Sequence, residues 1–520
     1  MNQNEHIGGH LEQVVCLLEG LQSAPNEKAL KNVITLALLV MDHDDEKIHD
    51  LEVKIGAPEV IIDLLRKAVY ISFDYAEAHR LCLLLDHVYK CSYETLLASF
   101  CENASILFPL LIMLSSRPET NVESMDAASR LLKRTLPHGL PLNEVKDADI
   151  LLIAIVRYLR SESVQIQNKA LVAMDVITLE SGSRAIASRF PGLLEVVVAS
   201  ASFCQELALD VIANVSMDME CKEVLINTLG CADLLSCALT SEKIGTKKKA
   251  CAIILHLSSA KSSREILLQW KSGRLLTQLI SLVDESLARG DSTGIQAITN
   301  LISEATADTF GGLPKLIDTI IEEISSNPIS TCAIEASRLM MRLSRYLRPR
   351  HESHQNLFTA LRRMVTIQSF DIALWTARSF IEQSLNLSCS FFMVRNREII
   401  ESLCILAQSR FYKIRAAAVS AIANLAQVVP NARKLSSYRC VVNILTLSLN
   451  RSQDDSESDD EIRFAIQAIL LVANHHSASS RIAQHEGIIQ SLCRYGTSSD
   501  GDIELKRAAF HGILMLAPSM

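Results

Sequence analysis

Hydrophobic residues recur along this chain at helical spacing, and a small residue marks successive stretches at intervals of about forty positions. These small positions are Ala128, Ala170, Ala208, Ala250, Gly294, Ala336, Ala377, Ala418, Ala465 and Ala509. Seven residues after most of them lies an aliphatic side chain, such as Ile177, Leu257 or Leu425. Because steps of three, four and seven residues share one face of a helix, the pattern predicts amphipathic helices. A repeat of this length predicts an array of stacked helical units, with small side chains where helices cross closely.

Two further positions keep the same period. A glycine recurs roughly twenty residues after the small position and precedes an apolar stretch, so we expect left-handed backbone between two helices there. These glycines are Gly192, Gly230, Gly273, Gly312 and Gly487. Between the small residue and the glycine a basic residue recurs, at Arg184, Lys222, Arg264, Arg433 and Arg481.

The chain is therefore predicted to be all-α. Alternating apolar and polar runs flanked by turn signals do not stand out, so few strands or none are expected. Residues 1–25 are assigned to an N-terminal tail and first helix, residues 26–119 to irregular helical repeats, and residues 120–520 to regular repeats. The period lengthens before Ala465, where the acidic stretch 452–461 predicts a loop between repeats.

That acidic stretch contains two candidate phosphorylation sites. Ser456 and Ser458 each have an acidic residue three positions later, a pattern favoured by acidophilic kinases. The alternative is a solvated loop without a regulatory role.

Three segments carry a resemblance to a known family. GGLPKLIDTI (311–320), KIRAAAVSAIANLAQVVPNARKL (413–435) and EIRFAIQAILLVANHHSASSRIAQHEGIIQSL (461–492) resemble armadillo repeats of the β-catenin and importin-α type. The likeness covers residues 120–520. It implies an armadillo-type right-handed α–α superhelix with about ten to eleven repeats, and a protein-interaction role.

The resemblance also implies a partner-binding groove lined by the third helix of each repeat. Positions two and six after the small residue would face this groove, where amides can donate to and accept from an extended peptide. The residues implied in this way are Asn214, His256, Gln296, Asn300, Arg338, Arg342, Gln383 and Asn424. Position two carries no Trp, unlike the nuclear-import receptors of the family, which disfavours that function. The alternative is that these side chains are polar residues on a solvated helix face.

An arginine cluster stands out between residues 338 and 363. Arg338, Arg342 and Arg345 follow one another in steps of four and three, which places them on one face of a helix. Guanidinium groups pair well with carboxylates and phosphates, so the cluster predicts an acidic or phosphorylated partner segment. The alternative is pairing within the chain, with Glu322, Glu323, Glu335 or the acidic stretch. Arg348, Arg350, Arg362 and Arg363 extend the cluster.

Composition narrows the remaining functions. The net charge of the 520 residues is −8, which argues against binding to nucleic acid. The longest apolar runs, such as residues 33–41, are shorter than a membrane span needs, and the N-terminus lacks the features of a secretory signal. The 14 cysteines include no CxxC pair, so reduced thiols are expected. The cytoplasm is the predicted location, with the nucleus left open and the oligomeric state undetermined.

Neither catalysis nor metal binding is favoured by the motifs. Ser292 lies in GDSTG, which matches the nucleophile elbow of serine hydrolases, but the preceding stretch is helical in pattern instead of a strand. His351, His354, His475 and His476 lack carboxylate or thiol partners at ligand spacing, so they are expected at the surface. No metal, cofactor or enzymatic activity is expected. A hydrolase using Ser292 and a chaperone cofactor of the nucleotide-exchange type stay as alternatives to the scaffold.

Overall fold

The fold is that of a computed structural model, which describes residues 93–116, 139–302, 313–347, 353–451, 459–485, 487–497 and 502–517. It also describes scattered positions between 62 and 85, and Ala128. Helices make up the regular structure of these residues, and no strand occurs among them. The all-α prediction is therefore confirmed. Residues 1–25, most of residues 26–92, and Ser456 and Ser458 lie outside the described part.

The chain divides into two compact units, residues 1–267 and 268–520. The described helices of the first unit are α1 (Tyr93–Ser116), α2 (Ala148–Leu159), α3 (Val164–Leu179), α4 (Ser181–Arg189), α5 (Leu193–Met217), α6 (Met219–Asn227), α7 (Cys231–Leu239) and α8 (Ile244–Ser258). Helix α9 (Lys261–Gln269) crosses the division and continues into a short 3-10 turn, Trp270–Gly273. Within the first unit, α3 packs on α5 and α5 on α8, so the small-residue helices of successive repeats lie side by side.

The second unit repeats this arrangement. Its described helices are α10 (Arg274–Ser281), α11 (Val283–Leu287), α12 (Thr293–Leu301), α13 (Leu313–Ser326), α14 (Thr331–Tyr346), α15 (Ser353–Val365), α16 (Phe370–Ser384), α17 (Leu387–Arg395), α18 (Arg397–Ala407), α19 (Tyr412–Ala426), α20 (Val429–Leu435), α21 (Arg439–Asn450), α22 (Asp459–Ala473), α23 (His476–Ala483), α24 (Ile488–Thr497) and α25 (Ile503–Leu516).

Three layers of helices build the second unit. The helices with the small residue, α12, α14, α16, α19, α22 and α25, pack in series, and we call them the third helices. Helices α13, α15, α18, α21 and α24 form a second series, and the short helices α17, α20 and α23 a third. The last three repeats, α17–α19, α20–α22 and α23–α25, therefore each contribute one helix to each layer, as stacking of repeats requires.

The small residues lie where the third helices meet. Ala250, Ala336 and Ala418 are fully buried, as are the other alanines of this position among the described residues. A larger side chain would hold the packed helices apart, because protein interiors are close-packed and overpacking destabilises them. The predicted role of the small position is confirmed.

The recurring glycines adopt the predicted backbone. Gly192, Gly230, Gly273 and Gly487 have φ values of 76°, 82°, 84° and 96°, and each directly precedes a helix. Left-handed φ is accessible to glycine at little cost, so the chain can turn sharply between helices at these positions. Gly312 lies outside the described residues.

Two of the recurring basic residues close a helix end in the first unit, whereas Lys222 Nζ donates to Ser259 Oγ at 2.7 Å instead. Arg184 Nε donates to the carbonyl of Thr178 at 2.7 Å, and its Nη2 donates to the carbonyl of Leu179 at 2.7 Å. Arg264 Nε donates in the same way to the carbonyl of Ser258 at 3.0 Å. The last carbonyls of an α-helix have no partner within the helix, so these side chains satisfy otherwise orphaned acceptors.

One described helix contradicts the expectation that no segment is long and apolar enough to span a membrane. By length and composition alone, α5 could do so, and half of its apolar window is buried. It consists of two repeat helices joined across a kink at Cys204, where φ is −131° and ψ is 51°. Its second half packs between α3 and α8, and this packing accounts for its apolar composition.

The predicted acidic loop is shorter than its sequence suggested. Helix α22 begins at Asp459, and Glu461 is fully buried within it. Its carboxylate accepts from Arg415 Nε at 2.8 Å and from Arg451 Nη1 at 2.6 Å. A buried carboxylate requires such pairing, so Glu461, the last residue of the acidic stretch, acts as a structural anchor.

Candidate partner-binding site

Helices α14 and α16 bring together a cationic and aromatic surface, which we call the Trp375 face. It consists of Arg338 and Arg342 on α14 and of Trp375 and Arg378 on α16. The guanidinium carbons of Arg338 and Arg378 lie 6.0 Å and 4.8 Å from the centroid of the Trp375 ring. These distances fit cation–π contacts. The indole therefore holds two positive charges close together at the surface.

Two of these arginines are uncommitted. Arg342 and Arg378 form no ion pair or side-chain hydrogen bond with another described residue. Arg338 forms only a loose ion pair with Glu335, at 3.7 Å. The Oε2 atom of Glu335 is buried and has no hydrogen bond, so the positive charge of Arg338 compensates it.

Unlike Arg342 and Arg378, Arg345 is paired within the chain. It forms a bidentate pair with Glu382, with Nε to Oε2 at 3.0 Å and Nη2 to Oε1 at 2.8 Å. The hydrogen bond to Glu382 and its charge raise the pKa of Arg345 further above its usual range. The predicted alternative of pairing within the chain therefore holds for Arg345, with Glu382 in place of the partners considered, and for Arg338, which pairs with the considered Glu335 at 3.7 Å.

The rest of the arginine cluster is dispersed. Arg362 and Arg363 lie on α15, which belongs to another layer, and Arg362 is paired with Glu398. Arg348 and Arg350 lie outside the described residues. The cluster that looked continuous in sequence therefore does not form one surface among the described arginines.

Two of the asparagines at position six, Asn214 and Asn424, form hydrogen bonds with the preceding repeat. Asn214 Nδ2 donates to Asp175 Oδ1 at 2.9 Å, and Asn424 Nδ2 donates to Ser384 Oγ at 3.2 Å. Both side chains are half-buried and link the third helices of adjacent repeats. Their polar groups are engaged within the fold.

His256 follows the same rule. Its Nδ1 lies 2.9 Å from the Ser216 hydroxyl at the end of α5. Burial and, secondarily, the positive charge of Lys222 lower the pKa of His256 below its usual value. A neutral imidazole linking two repeats fits this environment better than a charged partner contact.

Gln383 is the clearest correction. It is fully buried, whereas the sequence placed it in an open groove. Its Nε2 donates to the carbonyls of Ser344 and Leu347, the latter at 3.2 Å. Its Oε1 lies 3.1 Å from Nε2 of His354, which is also buried instead of exposed as expected. The cause is the packing of α16 on α14, which carries position six of one repeat against the helix end of the previous one.

Gln296 and Asn300 lie half-buried on α12. Gln296 Nε2 donates to Ser292 Oγ at 3.2 Å within the same helical turn. Ser292 directly precedes α12, and the element before it is helix α11. A nucleophile elbow requires a strand-to-helix turn, so its geometry is not formed at Ser292. Among the described residues, no group of three or more His, Cys, Asp or Glu side chains is placed to hold a metal ion.

Sequence reasoning missed Trp375 and Arg378. A tryptophan was sought only two positions after the small residue, whereas Trp375 lies two positions before Ala377. Positions 375 and 379 are four residues apart and therefore lie on one face of α16. This spacing was the signal in the sequence that could have identified Trp375. The contact between Trp375 and Arg338 depends on how α14 packs beside α16, and the sequence alone did not predict it.

The comparisons with known proteins concern the fold. No protein-family model matches this chain, and no curated protein matches it. A crystal structure of an engineered protein is similar with a TM-score of 0.59 and 17% identity, over 79% of this chain and 99% of the other. A structure from work on a phosphorylation switch in the interaction between cadherin and β-catenin has a TM-score of 0.57 and 12% identity, over 97% and 98%. At these identities the likeness shows a shared all-helical architecture.

Proposed function

We propose that this protein is a non-enzymatic armadillo-repeat scaffold that binds an acidic segment of a partner protein on the Trp375 face. The observation that carries the proposal is the uncommitted guanidinium of Arg378 over the half-buried indole of Trp375, with the uncommitted Arg342 one turn after Arg338 on the neighbouring helix α14. A chain with a net charge of −8 concentrates positive charge locally here. The likeness of fold to a β-catenin structure supports the scaffold class, although it names no partner for this chain.

The chemistry favours a carboxylate-bearing segment. Arginine forks bind carboxylates in a bidentate fashion, and a guanidinium that stacks on an aromatic ring gives up little side-chain freedom on binding. Tryptophan and arginine also dominate the energetic centres of protein interfaces. An extended acidic segment crossing α14 and α16 would therefore pair with Arg342 and Arg378 and cover Trp375.

The proposal also places the protein in the cytoplasm. The described cysteines are free thiols, as is usual for proteins of a reducing compartment. Protein is the proposed class of partner; nucleic acid is disfavoured by the net charge.

The test is a charge reversal that leaves the fold intact. We expect Arg342→Glu with Arg378→Glu to weaken binding of a labelled oligo-glutamate peptide at least about tenfold, measured by fluorescence anisotropy. Arg338 is left unchanged, because Arg338→Glu would place a second carboxylate beside the buried oxygen of Glu335. The melting temperature should stay unchanged.

The matched control is Arg494→Glu with Arg507→Glu. These exposed arginines lie in the same unit on α24 and α25, which pack on neither α14 nor α16, and their reversal changes the net charge equally. Equal loss of binding in both variants would mean that only overall charge matters. Unchanged binding in the Arg342/Arg378 variant would refute the proposal.

A further inference from the structure

A second cationic site lies in another layer of the second unit. A cleft of about 860 Å³ opens between the end of α20, the start of α21 and the end of α23. Arg439 and Arg481 line it from two successive repeats, with Asn443, Gln484 and His485 beside them. We call it the Arg439 cleft. It shares no lining residue with the Trp375 face.

Both arginines are exposed and lack counter-charges. Neither Arg439 nor Arg481 makes an ion pair or a side-chain hydrogen bond within the described part of the chain. No carboxylate is among the described residues that line the cleft, and Glu486 lies outside the described residues. Two positive charges therefore face one opening without compensation from its walls.

At the equivalent position of the preceding repeat, the arginine is paired with a glutamate. Arg397 begins α18 as Arg439 begins α21. Arg397 Nε donates to Glu401 Oε1 at 2.7 Å, four residues along the helix. Four residues after Arg439 the chain carries Asn443 instead of an acid. The substitution leaves Arg439 free and adds an amide to the cleft.

Arg481 departs from its repeat position as well. In the first unit two of the three recurring basic residues, Arg184 and Arg264, close a helix end. Arg481 makes no such bond with a described carbonyl and lines the cleft instead. A position that is structural at Arg184 and Arg264 is therefore available here for a ligand.

An amide and an imidazole complete the lining of the Arg439 cleft. His485 Nε2 lies 2.7 Å from Asn443 Oδ1, so an imidazole N–H donating there fixes the amide orientation. The Asn443 amide nitrogen then has no described partner, and its two N–H groups can donate to a ligand. Two guanidinium forks with an amide donor match a doubly charged tetrahedral oxyanion better than a single carboxylate.

We propose that the Arg439 cleft binds a phosphoserine or phosphothreonine side chain of a partner protein. A peptide-borne phosphate is favoured over a free anion because the two arginines are exposed. A small anion would stay largely hydrated there, whereas a flanking chain adds contacts along a cleft of this volume. The site is independent of the acidic-segment binding proposed for the Trp375 face.

The experiment uses the full chain and a fluorescein-labelled phosphoserine peptide library with randomised flanks, with the unphosphorylated library as reference. Fluorescence anisotropy should show binding of the phosphorylated library only. Arg439→Gln with Arg481→Gln should raise Kd at least tenfold, and Arg395→Gln with Arg397→Gln, the matched change at the preceding junction, should leave it unchanged. Unaltered binding in the first variant overturns the proposal.

A second variant tests the mechanism without removing an arginine. Asn443→Glu restores the acid that neutralises Arg397 in the preceding repeat, so it should abolish phosphopeptide binding while the melting temperature is retained. Retained binding overturns the proposal. Equal binding of inorganic phosphate and of the library would show a site for free anions and also overturns it. Loss in the Arg342/Arg378 variant, with retention in the Arg439/Arg481 variant, would move the phosphate to the Trp375 face.

Discussion

Replacement of Gln383 by leucine should destabilise the second unit strongly. The side chain is fully buried and serves three partners: the carbonyls of Ser344 and Leu347, and the Nε2 of His354. The loss of a hydrogen bond by a buried polar group costs about 1–3 kcal/mol, and three such bonds are lost here, so the total is roughly 4–6 kcal/mol after partial relaxation. The carbonyl of Leu347 keeps only the weaker contact from Cys389 Sγ at 3.9 Å. The added apolar burial of leucine returns about 1 kcal/mol. We therefore expect a net loss of ~3–5 kcal/mol in the free energy of unfolding.

The assay is urea denaturation followed by circular dichroism, together with thermal melting. For a unit of this size, a loss of ~3–5 kcal/mol corresponds to a fall in Tm of about 10 °C. Gln296→Leu is the matched control, because Gln296 is half-buried and its described bond lies within one helical turn. That change should cost less than about 1 kcal/mol.

The same variant separates two roles for Gln383. A groove residue would lose partner binding with unchanged stability, whereas a core residue loses stability. An unfolding free energy within about 0.5 kcal/mol of the wild type would refute the buried-network reasoning.

Three other predictions concern backbone strain, protonation and a buried charge. Gly230→Ala should destabilise the protein by about 1 kcal/mol, because φ is 82° at that position. Gly245→Ala should stabilise it by about 0.5–1 kcal/mol, because Gly245 lies inside α8 and no atom is within 4 Å of the added carbon. Thermal melting that ranks the two variants in the reverse order would contradict this reasoning. The pKa of His256 is lowered by burial, so the unfolded chain takes up the proton first as the pH falls below about 6.5. Wild-type stability should then fall below that pH until the folded pKa is reached, and His256→Gln should flatten this dependence in Tm measured at several pH values; parallel curves would argue against it. Glu461→Gln should cost about 3–5 kcal/mol in urea denaturation, because it leaves two arginines facing a neutral amide, and a loss below about 1 kcal/mol would show that the pair is not a structural anchor.

The sequence alone determined the helical class and the repeat. Fully buried Ala250 and Ala418 and left-handed Gly192 and Gly230 lie where the period predicted them. The apolar face of a helix and the residue that tolerates positive φ depend on constraints within one helix or one turn, and the small position, although set by contact between helices, recurs with the period of the repeat. Constraints of this kind can be predicted from the pattern of residues along the chain.

Only the tertiary structure decided which polar residues are available to a partner. Gln383 and Arg345 looked equivalent to Arg342, yet one is buried against His354 and the other is paired with Glu382. Trp375 becomes part of a binding surface because the guanidinium of Arg338 lies over it from the neighbouring helix. Arg439 is unpaired because the chain has no acid four residues later, where Arg397 has Glu401. Hydrogen bonds and ion pairs form between residues of adjacent repeats roughly forty positions apart, and their register depends on how the helices stack, which no single helix encodes.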